Sequence, residues 1–220
     1  MIAEQIRKIH EELPGGVSLV AVSKFHPVEA LMEAYEAGQR IFGESRVQEL
    51  LEKIPQMPDD VRWHFIGHLQ TNKVRQVVGR VSLIESVDSE RLLEIIDRES
   101  EKAGVTTRVL MQVHVAREET KFGFMPDELL SFFSSRGYEK LKATHLCGVM
   151  GMASNTDDAD QVRRDFAEVF SLYGRIVADN PDLRGFDTVS MGMSGDWRLA
   201  IEEGSTMVRI GSMIFGSRQY

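Results

Sequence analysis

The chain has very little cysteine. A single residue, Cys147, occurs among 220 residues. One thiol cannot form an intrachain disulfide, and it cannot supply a zinc or iron–sulfur site built from several cysteines. Chains without disulfides are typical of a reducing compartment, so we expect a cytoplasmic protein.

Long apolar stretches are also missing. The longest runs, such as Leu19 to Val22, fall far short of the roughly 18 apolar residues that suggest a membrane span. The N-terminal segment carries Glu4, Arg7 and Lys8 and has no apolar core of the kind found in signal peptides. We therefore expect neither a membrane anchor nor secretion.

Positive charge is in deficit, with 26 lysines and arginines against 34 aspartates and glutamates and a net charge of −8. Because affinity for nucleic acid rests on many cation contacts to phosphates, nucleic acid is not expected as a partner. The stretch from Gln70 to Arg80 is locally basic and could contact phosphate or RNA. We favour a solvated helix face there, since the surrounding chain is acidic.

A repeating pattern runs along the whole chain. Short β-branched runs are followed by glycine or a polar turn and then by a helical pattern, which is typical of βα units. No linker or shift in composition marks a boundary, so we expect one domain over residues 1–220. The predicted strands are Val17–Ser23, Arg40–Phe42, Trp63–Ile66, Leu83–Ser86, Arg108–Val115, Lys142–Met150, Thr188–Ser190 and Met207–Ile210. The predicted helices cover residues 2–12, 27–38, 46–53, 71–78, 89–103, 127–136, 157–178 and 196–202.

Eight alternating units predict an α/β fold, a (β/α)8 TIM barrel with an extra N-terminal helix. A doubly wound open sheet is the alternative. In a barrel the chemistry lies at the carboxyl ends of the strands. The residues expected there are Lys24, Gly43-Glu44-Ser45, Gly67-His68, Asp88, Arg117, Met150-Gly151-Met152, Gly192-Met193-Ser194-Gly195 and Arg209-Ile210-Gly211-Ser212.

Small residues follow the last two predicted strands, at Ser194-Gly195 and at Gly211-Ser212. Their exposed backbone N–H groups could hold an anion, and the loops after strands seven and eight are where barrels commonly bind phosphate. Tight turns alone would also explain the glycines. The adjacency of two such loops favours a phosphorylated ligand.

Lys24 ends the first predicted strand, so its amine is expected in the mouth of the barrel. Burial there beside Arg209 would favour the neutral amine that forms a Schiff base. A surface lysine capping a strand is the alternative interpretation. Together with a phosphate site across the same mouth, Lys24 indicates an aldehyde phosphate, and pyridoxal phosphate is the common cofactor with both groups.

Seven segments of the chain form an ordered set of motifs. They are Ala21-Val22-Ser23-Lys24, Phe42-Gly43-Glu44-Ser45-Arg46-Val47-Gln48-Glu49, Trp63-His64-Phe65-Ile66-Gly67-His68-Leu69-Gln70-Thr71-Asn72-Lys73, Lys121-Phe122-Gly123, Gly148-Val149-Met150, Ser190-Met191-Gly192-Met193-Ser194-Gly195-Asp196 and Val208-Arg209-Ile210-Gly211-Ser212. In these segments the chain closely resembles the pyridoxal phosphate homeostasis proteins, over essentially its whole length.

This resemblance implies a barrel like the N-terminal domain of alanine racemase, with pyridoxal 5′-phosphate held as a covalent aldimine on Lys24. It also implies that the phosphate is held by Ser194, Gly195, Gly211 and Ser212, and that Arg209 faces the pyridine nitrogen. Because arginine stays protonated, it cannot give that nitrogen a proton, and the ring should be a weak electron sink.

Four further residues of the motifs are candidates for contact with the cofactor: Met193, Ser45, His64 and Met150. Ser45 stands where the family usually has asparagine. It offers a shorter side chain with fewer hydrogen-bonding groups, so the contact made at this position is expected to differ.

The resemblance implies a non-catalytic protein that holds pyridoxal phosphate, buffers the free aldehyde and supplies apo-enzymes. An amino-acid racemase is the alternative. A racemase of the alanine type needs a second acid–base group, a tyrosine from a separate β-domain contributed across a dimer, and the chain is expected to end before such a domain. Its tyrosines, Tyr35, Tyr138, Tyr173 and Tyr220, are predicted in helices or at the terminus, away from the strand ends. We expect a monomer.

No metal site is expected. His64 and His68 are four residues apart, but they fall on a strand and its loop and not on one helix face. His145 and Cys147 alternate along a predicted strand, and we expect them to form a buried structural pair.

Overall fold

Eight parallel strands close into a barrel in the order β1 to β8, each one hydrogen-bonded to its neighbours in sequence. The structure is a computed structural model that describes residues 1–118 and 122–216. The predicted barrel is therefore confirmed over the open sheet. The strands are β1 Ser18–Val22, β2 Ile41–Glu44, β3 Arg62–Phe65, β4 Leu83–Val87, β5 Thr107–Val113, β6 Thr144–Gly151, β7 Thr188–Ser190 and β8 Met207–Ile210.

Helices connect the strands on the outside of the barrel. The predicted extra helix, α1, precedes β1 and packs against α2 and α9. The helices are α1 Ile2–Glu12, α2 Val28–Glu36, α3 Val47–Lys53, α4 Val74–Val77, α5 Glu90–Ala103, α6 Pro126–Ser134, α7 Ala159–Asp179, α8 Trp197–Glu202 and α9 Ser212–Phe215. Short 3-10 helices cover Ile54–Gln56, Thr71–Lys73 and Gly137–Lys140.

Side chains alternate between the two faces of each strand, because successive residues of a strand point to opposite sides. In β1, Leu19 and Ala21 pack in the large core between strands and helices, whereas Val20 packs inside the barrel. An apolar group of side chains inside the barrel is fully or nearly buried. It consists of Val20, Ile41, Leu83, Leu110, Cys147, Met150 and Met207.

The helical segment predicted over 71–78 is present, as the 3-10 turn Thr71–Lys73 followed by the single α-turn α4. One local prediction is wrong. His145 and Cys147 do not form a buried pair, because Cys147 is buried inside the barrel while His145 is exposed near the start of β6. A register shift between β5 and β6 surrounds Cys147, since Val109 pairs with Leu146 and Leu110 already pairs with Gly148.

Candidate functional site

A cavity of about 290 Å³ opens at the carboxyl ends of the strands. Its lining residues come from β1, β8 and the loops after β1, β2, β3, β6, β7 and β8. Eight of them were predicted from the sequence as site residues: Lys24, Ser45, Met193, Ser194, Gly195, Arg209, Gly211 and Ser212. Val22, Ile66 and Met152 complete the lining. Met152 was expected at the carboxyl end of its strand, but none of the three was predicted to contact the cofactor. The barrel thus brings together residues from both ends of the chain.

Two predicted site residues lie elsewhere. Met150 is buried in the apolar cluster inside the barrel, and Met152, two residues further along, reaches the cavity in its place. His64 is buried inside the barrel wall and does not line the cavity. Lys121, the first residue of one quoted motif, lies outside the described residues.

The loops after β7 and β8 are joined by one side chain. The hydroxyl oxygen of Ser194 accepts hydrogen bonds from the backbone N–H groups of Gly211, at 3.2 Å, and Met213, at 3.4 Å. Two donors from one loop therefore converge on a single oxygen atom at the cavity. An oxygen of an anion would need donors arranged in this way.

Glycine has a different role in each of these loops. A Cβ added to Gly195 would meet no other atom within 4 Å, so this side of the loop is open. A Cβ added to Gly211 would lie 3.2 Å from the carbonyl oxygen of Val22. Gly211 therefore allows the loop after β8 to approach the end of β1, next to Lys24.

Arg209 supplies a buried positive charge at the inner end of the cavity. Its Nη1 donates to the hydroxyl of Ser190 at 2.6 Å, and its Nη2 donates to the carbonyl of Gly151 at 3.0 Å. Nη1 also lies 3.8 Å from Oε2 of Glu85. Burial lowers the pKa of the Arg209 guanidinium, and the carboxylate of Glu85 opposes that effect.

Glu85 is the anion that balances Arg209. Its Oε1 lies 2.7 Å from Nδ1 of His64, which must donate because a carboxylate only accepts. Its Oε2 accepts from the hydroxyl of Ser190 at 2.6 Å. Burial alone would raise the pKa of Glu85, but the hydrogen bond and charge of His64, the charge of Arg209 and the bond from Ser190 together lower it.

This group of four, which we call the interior cluster (His64, Glu85, Ser190 and Arg209), was only partly visible in the sequence. Glu85 and Ser190 were not predicted. One signal was available, because a carboxylate inside an apolar strand is rarely buried without a partner. Leu83 faces the barrel interior, and Glu85 follows it by two residues and so shares its face.

Other polar groups near the mouth are paired separately. His68 Nδ1 lies 2.7 Å from Oδ2 of Asp88, and its ring stacks on Phe122 with centroids 3.9 Å apart. Over residues 1–118 and 122–216, no group of three histidine, cysteine or acidic side chains is placed to hold a metal ion.

The tyrosines that the structure describes lie away from the cavity. Tyr35 is in α2, Tyr173 is in α7 and Tyr138 is in the 3-10 helix Gly137–Lys140. Tyr220 lies outside the described residues. None of the helices described is both long enough and apolar enough to span a membrane.

Comparison with known proteins agrees with the barrel and its motifs. The family model for the alanine racemase N-terminal domain matches residues 1–219. The pyridoxal phosphate homeostasis protein of Schizosaccharomyces pombe is 43% identical over 211 residues, covering 92% of this chain and 84% of that protein. The protein of the same name from Aquifex aeolicus is 38% identical over 224 residues, covering 100% of this chain and 96% of that protein.

Solved structures of related proteins have the same barrel fold. PipY of Synechococcus elongatus without PLP superposes with a TM-score of 0.93 at 37% identity, over 98% of this chain and 100% of that one. The structure of PipY with PLP bound gives a TM-score of 0.89 at 36% identity, with the same coverage. Alanine racemase of E. faecalis, at 19% identity and a TM-score of 0.73 over 96% of this chain and 57% of that one, shares the fold. The chain therefore belongs to the alanine racemase N-terminal domain family and, within it, to the pyridoxal phosphate homeostasis proteins.

Proposed function

We propose that this protein binds pyridoxal 5′-phosphate in the cavity at the barrel mouth and takes part in vitamin B6 and amino-acid homeostasis without catalysing a reaction. One observation carries the proposal. Lys24, the Ser194 loop and the buried Arg209 line the same small cavity. An amine, an anion-binding loop and a fixed cation are the groups that an aldehyde phosphate with a pyridine ring would need.

The cavity fits such a ligand in size and polarity. Its volume of about 290 Å³ lies at the lower end of the range for small-molecule sites. Ser194, Gly195, Gly211 and Ser212 would hold the phosphate, and the open side of Gly195 leaves room for it. Met152, Met193, Val22 and Ile66 supply apolar surface for a ring.

Lys24 is the proposed point of covalent attachment. Its neutral amine would add to the aldehyde carbon, and loss of one water molecule would leave a Schiff base. The reaction needs no oxidant or second substrate and reverses on hydrolysis. Reversibility suits a protein that stores a reactive aldehyde and supplies it to apo-enzymes, which is the second part of the proposal.

The residues around the cavity favour holding the cofactor over carbanion chemistry. Among the described residues that line it, only Lys24 and Arg209 are ionisable. Arg209 stays protonated and so gives no proton to a ring nitrogen. A racemase of the two-base type would need a second proton carrier.

Borohydride reduction tests the attachment. The protein is incubated with pyridoxal phosphate, reduced and mapped by peptide mass spectrometry, with the absorbance spectrum recorded before and after. We expect one stable adduct, on Lys24, that Lys24→Ala removes and that Lys8→Ala, a change at an exposed lysine of α1, leaves intact. Adducts scattered over surface lysines, or no adduct, would contradict the proposal.

An amino-acid panel tests the absence of catalysis. Purified protein loaded with pyridoxal phosphate is incubated with each amino acid, and both enantiomers are followed by chiral chromatography. We expect no racemisation above that of free pyridoxal phosphate. Racemisation that disappears in Lys24→Ala would replace the binding proposal with a racemase. Size-exclusion chromatography of the same sample tests the proposed monomer.

A further inference from the structure

The backbone on both sides of Lys24 is held by a second buried group of charges, which lies between the barrel wall and α3. We call it the outer cluster: Ser23, Glu44, Glu49 and Lys53. Glu44 and Lys53 are 0% and 5% exposed. None of these side chains lines the cavity, so they are separate from the ligand site described above.

Lys53 is the centre of the outer cluster. Its Nζ donates to Oε1 of Glu44 at 2.7 Å, to Oε1 of Glu49 at 2.6 Å and to the carbonyl oxygen of Ser23 at 2.8 Å. The hydroxyl of Ser23 also donates to Oε1 of Glu44 at 2.6 Å. The residue before Lys24 is thus fixed through both its backbone and its side chain.

Glu49 holds the residue after Lys24. Its Oε1 accepts the backbone N–H of Phe25 at 2.6 Å. Phe25 has a φ of +67°, in the left-handed region that aromatic residues rarely adopt. Such a conformation is strained and persists only where the surroundings enforce it. The hydrogen bond to the Glu49 carboxyl group supplies that enforcement.

We propose that Glu49 and Lys53, with Glu44 behind them, are positioning residues for Lys24. They hold residues 23–25 in a sharp turn at the end of β1, and this turn determines where the lysine amine lies in the cavity.

The inference rests on the proposed function, because it assigns these residues to the reaction of Lys24 with an aldehyde. A purely structural role would stabilise the fold without affecting that reaction.

Binding of two ligands that differ at one carbon distinguishes a positioning role from a purely structural one. Pyridoxal 5′-phosphate has the aldehyde, and pyridoxine 5′-phosphate has a hydroxymethyl group in its place. Both would use the loops after β7 and β8, but only the aldehyde can react with Lys24. The ratio of the two dissociation constants therefore reports on the placement of the amine.

The principal variant is Glu49→Leu, which removes the acceptor at a side chain that is 19% exposed. We expect it to weaken binding of the aldehyde roughly tenfold, the equivalent of one hydrogen bond to a charged group, and to leave binding of the alcohol unchanged. Glu52→Leu, the same change at an exposed position of α3, is the control and should alter neither constant.

Two further variants keep the test decisive. Glu49→Gln retains an acceptor for the Phe25 N–H and should lose less of the preference for the aldehyde than Glu49→Leu. Adding Phe25→Gly to Glu49→Leu should restore much of the preference, because glycine adopts a positive φ without strain.

The failures are distinguishable. If the unmodified protein binds both ligands equally, the proposed attachment to Lys24 fails, and this inference fails with it; if it binds neither, the proposed function fails. If the unmodified protein prefers the aldehyde and Glu49→Leu keeps the same preference, the positioning role is wrong and the proposed function stands. Equal weakening of both ligands by Glu49→Leu would likewise show a purely structural role.

Discussion

Glu85 and Glu44 are both buried carboxylates paired with a cation, one inside the barrel and one outside it. Glu85 uses both of its oxygens, Oε1 for His64 and Oε2 for Ser190 and Arg209. Glu44 uses only Oε1, which accepts from Ser23 and Lys53, while its Oε2 is buried with no hydrogen-bond partner. The two carboxyls therefore differ in how far polar partners offset their burial.

The pKa values of the two carboxyls shift in opposite directions. Burial raises the pKa of Glu44, and the charge and hydrogen bond of Lys53 with the bond from Ser23 only partly offset that effect. The pKa of Glu85 is lowered, because its polar partners outweigh burial. One cation and one hydroxyl on a single oxygen therefore do not offset the burial of Glu44, to which the charge of Glu49 adds, whereas polar partners on both oxygens of Glu85 do offset its burial.

The difference matches the positions of the two clusters. Glu85 is the counter-ion of a buried arginine in the ligand cavity, where a constant charge keeps Arg209 in place. Lys53 has a second carboxylate partner, Glu49, so its cluster depends less on the charge of Glu44. The interior cluster keeps the Arg209 guanidinium in position, and the outer cluster keeps the backbone of residues 23–25 in position.

The largest expected effect comes from Glu85→Gln. It leaves the buried Arg209 without its ion pair and places an amide where two donors converge, so we expect a loss of about 3–5 kcal/mol in the free energy of unfolding. Glu44→Gln should cost under about 1 kcal/mol, because the amide can occupy the side where Oε2 has no partner. Urea unfolding of both variants checks the comparison.

Equal losses in the two variants would show that both carboxylates act as simple ion-pair partners. Binding of pyridoxal phosphate to folded Glu85→Gln adds a second readout. We expect weaker binding there, since Arg209 loses its anchor, and no such weakening in Glu44→Gln.

The next largest expected effect is the loss of unfolding free energy when a serine hydroxyl is removed from either cluster. Ser190→Ala and Ser23→Ala each remove a hydroxyl that donates to a buried carboxylate at 2.6 Å. Ser190 also accepts from Nη1 of Arg209, so its loss breaks two bonds, both to charged groups. We expect Ser190→Ala to cost about 2–3 kcal/mol and Ser23→Ala about 1 kcal/mol, because Lys53 still serves Glu44 after the change. Thermal and urea unfolding measure both values, and a reversed order would refute the two-bond argument.

The sequence predicted the parts of this site that follow strands. Lys24, Ser194 and Gly211 stand within a few residues of the carboxyl ends of predicted strands, and the barrel places these ends at one mouth. The eight repeated βα units predicted the barrel itself. These features are local in sequence, and for that reason a linear pattern reveals them.

The interior cluster could not be predicted in the same way. His64, Glu85, Ser190 and Arg209 come from β3, β4, β7 and β8, and only closure of the barrel brings them together. The spacing of these four residues in the sequence does not predict that barrel closure brings them into contact. A single strand shows only which residues share a face. The sequence could therefore predict that Glu85 lies on the same face of β4 as Leu83, but not which residues it contacts.

Strand ends were misplaced where glycine or a bulge intervened. β2 was predicted to end at Phe42, but the strand continues to Glu44. Gly43 is required inside the barrel, where a Cβ would lie 2.9 Å from the side chain of Val20. β6 was predicted to end at Met150, but it runs one residue further past a register shift, and Met152 takes the place at the cavity.

The smallest expected effect is the change of the unfolding free energy with pH. It tests the comparison most directly, because the two carboxyls should give slopes of opposite sign. The ordinary pKa of both glutamates is 4.5. Glu85 has a lowered pKa in the folded protein, so its contribution to stability is complete above pH 4.5 and is lost as the pH falls through the folded value. The gap in unfolding free energy between the unmodified protein and Glu85→Gln should therefore shrink below pH 4.5.

Glu44 has the opposite sign. Its raised pKa means that the folded state holds the proton more tightly than the unfolded state, so ionisation of Glu44 removes stability as the pH rises from 4.5 through the folded value. Glu44→Gln does not titrate and should become more stable relative to the unmodified protein over that range. Urea unfolding between about pH 3.5 and 7 measures both differences. Slopes of the same sign would mean that burial does not outweigh Lys53 and Ser23 at Glu44, and the pKa values of the two carboxyls would then not shift in opposite directions.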